Sequence, residues 1–144
     1  MLRVVGSVLL FVSITVIFSK KLLEDYFNYK FLEQIENITE KMLYENSLNL
    51  PYETLLRKIG FEKNAYIENK KLNRYISSRE IDMVYDFFEN LGKRDSESEK
   101  QYITTNLIKI KRQKNVYLKK YNENKRTRIL CGVALSAFVI IVLI

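Results

Sequence analysis

Histidine and tryptophan are absent from the 144 residues, and the chain has one cysteine, one proline and four glycines. Each scarcity excludes something. With no histidine, and with Cys131 alone inside an apolar run, there is no disulfide framework, zinc cluster or Cys–His pair to build. So few chain breakers favour long helices over short strands joined by tight turns. None of the phosphate-cradling, dinucleotide-binding or nucleophile-elbow patterns GxxxxGK[ST], GxGxxG and GxSxG occurs. Glu97 and Glu99 are a nominal acid pair, but side chains two apart on a helix do not face each other. They read as first-turn acids favoured by the helix dipole. The expectation is a non-enzymatic, all-α protein of about one domain, with no cofactor and no metal.

The net charge of +7 is unevenly spread. Residues 109–128 hold nine Lys or Arg against the single acid Glu123, whereas residues 20–100 hold fourteen bases against sixteen acids. The excess, including Lys119, Lys120, Lys125, Arg126 and Arg128, precedes a C-terminal apolar run. Bases in that position suit a segment facing anionic lipid headgroups, each worth about 1 kcal/mol near the surface.

Val4–Phe18 (VVGSVLLFVSITVIF) and Ile129–Ile144 (ILCGVALSAFVIIVLI) carry no charge. Each run spans about 22–24 Å as a helix, short of a hydrocarbon core of roughly 30 Å. Leu22 and Leu23 lengthen the first to about 20 residues if Lys20 and Lys21 snorkel. A cleaved signal peptide or a buried core helix are the other readings of the first run. The flanking charge is reversed for a signal peptide and no A-x-A-like site follows, so an uncleaved anchor is expected. The second run is apolar on every face, which favours membrane insertion. Bases sit on the inner side of both runs, so the positive-inside rule places residues 20–128 in the cytoplasm and both ends across the membrane. The expected organisation is an anchor at 1–19, a helical bundle at 20–128 and a membrane helix at 129–144. Gly132, Ser136 and Ala137 make a small-residue patch that either admits a close helix neighbour or reflects ordinary membrane-helix composition.

Helix signals fill the middle. Leu23, Phe27, Phe31, Ile35, Ile38 and Met42 recur every three to four residues, predicting a rod to about Glu45 that continues the first apolar run. SLNL is a loop, and Pro51 opens a short helix carrying Leu55, Leu56 and Ile59 that Gly60 closes. Residues 61–76 are a weaker helix with Phe61, Ala65, Ile67, Leu72 and Ile76 to bury. Ser77 and Glu80 form a capping box for a helix with the stripe Ile81, Val84, Tyr85, Phe88 and Leu91, ending at Gly92. Asp95 or Ser96 caps the next helix, whose seam is Ile103, Leu107, Ile110, Tyr117 and Tyr121, interrupted by Lys114. Nothing stops it before the end of the chain, so a continuous helix of roughly 70 Å is expected to return antiparallel to the first rod. A coiled coil with a second chain is the alternative use of that seam.

KIKRQKNVYLKKY interleaves bases with Tyr117 and Tyr121, a pattern that also occurs in nucleic-acid binders. The basic run abuts the apolar segment, and both tyrosines share the apolar seam, so anionic lipid is the favoured partner and nucleic acid is not expected.

LGKRDSESEKQYI at 91–103, followed by a long polar helix and an apolar tail, resembles stage III sporulation protein AB of endospore-forming bacteria. So does the beginning, MLRVVGSVLLF with a following KKLLE. The likeness is strong at both ends and thin across about 60–78. It implies a structural component of the channel complex between mother cell and forespore, similar to the inner-membrane platform proteins of type II secretion and type IV pilus systems. Its implied partners are the other channel proteins, including a secretion-type ATPase. The family pattern maps onto Leu91, Gly92, Asp95 and Ile103, with Lys93 and Arg94 as exposed neighbours and candidate partner contacts. Oligomerisation is open.

Overall fold

The computed structural model describes residues 2–45, 54 and 74–143. Among them are three helices and no strand: α1 (Leu2–Glu45), α2 (Ser78–Glu89) and α3 (Ser96–Leu143). At 1.5 Å per residue α1 and α3 are rods of about 66 and 72 Å. Both are uninterrupted because neither contains proline and each contains a single glycine, Gly6 or Gly132. The expected loop at SLNL, the Pro51 helix and most of the 61–76 helix lie outside the described residues. Of that last segment, residues 74–76 form a turn, and Ile76 is buried.

α1 and α3 pack antiparallel. Three cross-helix pairs set the register: Lys111 Nζ lies 2.7 Å from Glu40, Lys114 Nζ lies 2.5 Å from Glu36, and Asn124 Nδ2 donates to Asp25 Oδ2. The core between them holds Phe31, Leu32, Ile35 and Met42 of α1 with Ile103, Leu107 and Ile110 of α3. Helix α2 closes this core with Ile81, Val84, Phe87 and Phe88. Burying such a side chain contributes roughly 1.5–3 kcal/mol. Periodicity placed Phe31, Ile35, Met42, Ile103 and Ile110 correctly. Leu23 and Tyr85, expected to be buried, are 41 % and 37 % exposed.

Asn28 ties the start of α2 to α1. Its Nδ2 donates to the Glu24 and Tyr75 carbonyls at 2.7 and 3.0 Å, and its Oδ1 accepts the Ser77 amide at 2.9 Å. The expected Ser77–Glu80 capping box does not form. Ser77 is the N-cap by position but makes no side-chain cap bond, and Glu80 is turned into the core instead. The reason is geometric: Glu80 shares a face with Val84 and Phe87, which is the face packed against α3.

Both apolar runs are helical where described and continuous with the rods. Among the described residues, no helix is long and apolar enough to cross a membrane. Most side chains of the runs 4–18 and 129–144 lie outside the described ones, so the transmembrane ends expected from the sequence gain no support there.

Candidate functional site: the basic neck and the α2–α3 corner

Antiparallel packing brings the beginning of α1 and the end of α3 to one pole. The Asp25–Asn124 contact sets Lys20 and Lys21 level with Lys125, Arg126 and Arg128, all exposed. Lys119 is exposed and lies 3.9 Å from Glu123, and Lys120 stands 5.4 Å from the Tyr117 ring centroid. These cations form a belt around the neck of the bundle. Burial pushes the Asp25 carboxyl up from its ordinary value, opposed by the Asn124 hydrogen bond and then by Lys120 and Lys21. Beyond the belt, Val12, Val16 and Ile17 of α1 and Ile129, Leu130 and Phe138 of α3 are half exposed or more. A Cβ built at Gly132 meets nothing within 4 Å. The Ser136 and Ala137 side chains lie outside the described residues.

The opposite pole is the α2–α3 corner, about 50 Å away along α3 from Ile129 to Ser96. Helix α2 stops at Glu89, earlier than expected, with Asn90 as C-cap, and Gly92 follows at φ 76°. That left-handed conformation is open to glycine and costly for residues with a Cβ. Asp95 caps α3: its Oδ1 accepts the Ser98 amide at 3.0 Å, which holds the carboxyl below its ordinary value. Ser96 is the first helical residue, Leu91 packs partly buried on the core, and Ile103 is fully buried.

Glu99 does more than favour the helix dipole. It is fully buried, and Oε1 accepts the Gly92 amide at 3.0 Å, so one carboxylate crosses the turn and fixes its tip. Its Oε2 has no hydrogen-bond partner and lies 3.8 Å from Arg94 Nη1.

Lys93 and Arg94 are exposed, but they differ. Arg94 donates to the Asn90 carbonyl at 2.8 Å and stacks 3.8 Å above the Tyr102 ring centroid, so it is built into the corner. Lys93 makes one surface hydrogen bond, to Asn90 Oδ1 at 3.1 Å. Among the described residues no group of His, Cys, Asp or Glu is placed to hold a metal ion.

The site that sequence reasoning missed is polar and internal. Glu80, 1 % exposed, accepts hydrogen bonds from Gln113 Nε2 and the Tyr117 hydroxyl, each at 3.0 Å. Burial, then the Glu80 charge, pushes the Tyr117 phenol up to about 12. The i, i+4, i+7 spacing of Glu80, Val84 and Phe87 carried the signal.

No curated protein and no solved structure matches the chain at a significant level. The family model for stage III sporulation protein AB matches residues 63–144, which take in α2, the corner and all of α3. The match begins inside the stretch where the resemblance was thin and leaves out the N-terminal segment where it was strong. It covers more than half of the chain, and with it the Gly92–Asp95 corner whose geometry is described above: the chain belongs to the stage III sporulation protein AB family and is a sporulation protein.

Proposed function

We propose that this protein is a non-enzymatic structural component of the channel complex between mother cell and forespore, held at the membrane by both apolar segments. The observation that carries the reading is the pole where α1 begins and α3 ends. Exposed apolar side chains on both rods stand directly beyond a belt of exposed Lys and Arg. A water-facing bundle has no physical reason to stand six exposed apolar side chains at one pole and ring them with cations, whereas a bilayer with an anionic surface satisfies both. The bases lie on the bundle side of each apolar run, so residues 20–128 face the cytoplasm of the mother cell. There the bundle serves as a platform for a secretion-type ATPase, in keeping with the family's likeness to secretion-system platform proteins. Fold likeness alone does not establish that role.

Deleting the gene in a spore-former tests the reading. Forespore development should arrest and spore yield collapse, with the ATPase copurifying with the wild-type protein from sporulating cells. Normal sporulation in the deletion strain would reject it.

A further inference from the structure

Among the described residues, one face of α3 has no partner. From Lys100 to Asn122 the helix carries no acid. Two of its bases, Lys111 and Lys114, turn inward to Glu40 and Glu36 of α1. On the other side, Lys109 and Arg112 are exposed beside Ile108 and Val116, which are 62 % and 39 % exposed. Among the described residues neither base makes an ion pair. Lipid headgroups do not serve this face, because it lies about 20–32 Å along the helix from Ile129. Screening limits exposed charges to about 8 Å at physiological ionic strength.

The complement is on the same chain. The exposed face of α2 presents Asp82, Asp86 and Glu89 at i, i+4, i+7 spacing, with Arg79 as that helix's only base. None of the three acids makes an ion pair among the described residues. The two faces also stand at the same height. Glu80 meets Gln113 and Tyr117, and Phe87 meets Tyr102, so the α2 stretch 80–87 runs alongside the α3 stretch 102–117. Asp82 and Asp86 fall within the first stretch and Lys109 and Arg112 within the second. Copies anchored in one membrane with the same orientation differ only by rotation about its normal and by translation in its plane. Such copies present the acidic α2 face of one at the level of the basic α3 face of the next.

We infer that the exposed α3 face of Ile108, Lys109, Arg112 and Val116 docks the acidic α2 face of a second copy of this chain. The level matching rests on the membrane reading above, but the charge pairing does not. Association of opposed charged faces is salt-sensitive and selective against like-charged pairs.

The test uses the full chain in detergent, with self-association followed by sedimentation at low and high salt. Two variants reverse one face each: Asp82→Lys with Asp86→Lys, and Lys109→Glu with Arg112→Glu. The wild type should self-associate, at least tenfold more weakly at high salt. Each variant alone should associate at least tenfold more weakly than the wild type, and an equimolar mixture of the two should regain association. If a reversed chain loses helix content, the neutral pair Lys109→Gln with Arg112→Gln replaces it and should also weaken association. A monomeric wild type overturns the inference, including one whose α3 face instead retains an acidic protein or nucleic acid. So does a mixture no stronger than its components. Membrane insertion is scored separately by extraction, so failure of the docking and failure of the anchoring are distinguishable.

Discussion

The Tyr117 hydroxyl of α3 donates to the buried Glu80 carboxylate of α2 at 3.0 Å, across an interface that also sets Phe87 against Tyr102. A carboxylate buried between helices is costly unless hydrogen-bonded. Gln113 supplies the second donor to the same oxygen. Removing one donor should therefore be worse than the loss of an exposed hydrogen bond. Tyr117→Phe should destabilise the full chain in detergent by about 1–2 kcal/mol in chemical denaturation. An unchanged midpoint would mean that the contact contributes nothing.

The same pair predicts alkaline behaviour. The folded phenol sits near 12, above the ordinary 10, so the native state holds its proton where the unfolded chain releases it. The stabilising contribution is complete below pH 10 and is lost as pH rises from 10 towards 12. Spectrophotometric titration should show one tyrosine ionising later in the wild type that is missing in Tyr117→Phe.

At the other end of α2, Gly92→Val should cost about 1–2 kcal/mol, because a β-branched residue must adopt φ 76°. Asp95→Ala should lower the melting temperature through the lost Ser98 contact. The Asp95 contribution is present above its ordinary value of 3.8 and disappears as pH falls through the lower folded value. Wild type and Asp95→Ala should therefore converge in acid.

Glu99→Gln separates charge from hydrogen bonding. The amide oxygen still accepts from Gly92, and the carboxylate oxygen that makes no hydrogen bond is replaced by a neutral group, so stability should hold or rise. Glu99→Ala should lose about 1–3 kcal/mol, since the Gly92 amide is left without an acceptor. Equal loss in both would show that the charge beside Arg94 matters more than the turn contact.

The all-helical class, the two rods and the corner at Gly92 and Asp95 were legible because they follow from local rules: few breakers, apolar period and cap chemistry. What was not legible depends on a third element. Phe87 is buried with Phe88 because α2 packs over the core shared by the two rods and hides a wider face than a single stripe. The S-x-x-E pattern at Ser77–Glu80 reads the same whether the acid reaches back to its own cap or crosses to another helix. Asn28, buried, interrupts the apolar stripe of α1 without any sequence mark of its distant partners, the Tyr75 carbonyl and the Ser77 amide. Arg94 looked like a free cation because its contacts, Tyr102 and the Asn90 carbonyl, come together only once the corner closes.

Register is tested by crosslinking. In a Cys131→Ser background, Ile38→Cys with Ile110→Cys should crosslink within one chain, because the Glu36–Lys114 and Glu40–Lys111 pairs bring Ile38 within one helical turn of the level of Ile110. Predominantly interchain products would favour a coiled coil between copies over the antiparallel pair.

On the proposed function, the antiparallel rods deliver both apolar segments to one membrane with the bundle on its cytoplasmic side. Protease protection in sealed right-side-out vesicles measures this most directly. Residues 20–128 should resist digestion until the vesicles are opened, and the protein should stay with the membrane through alkaline extraction. Digestion of that region from outside intact vesicles, or release by alkali, would contradict it.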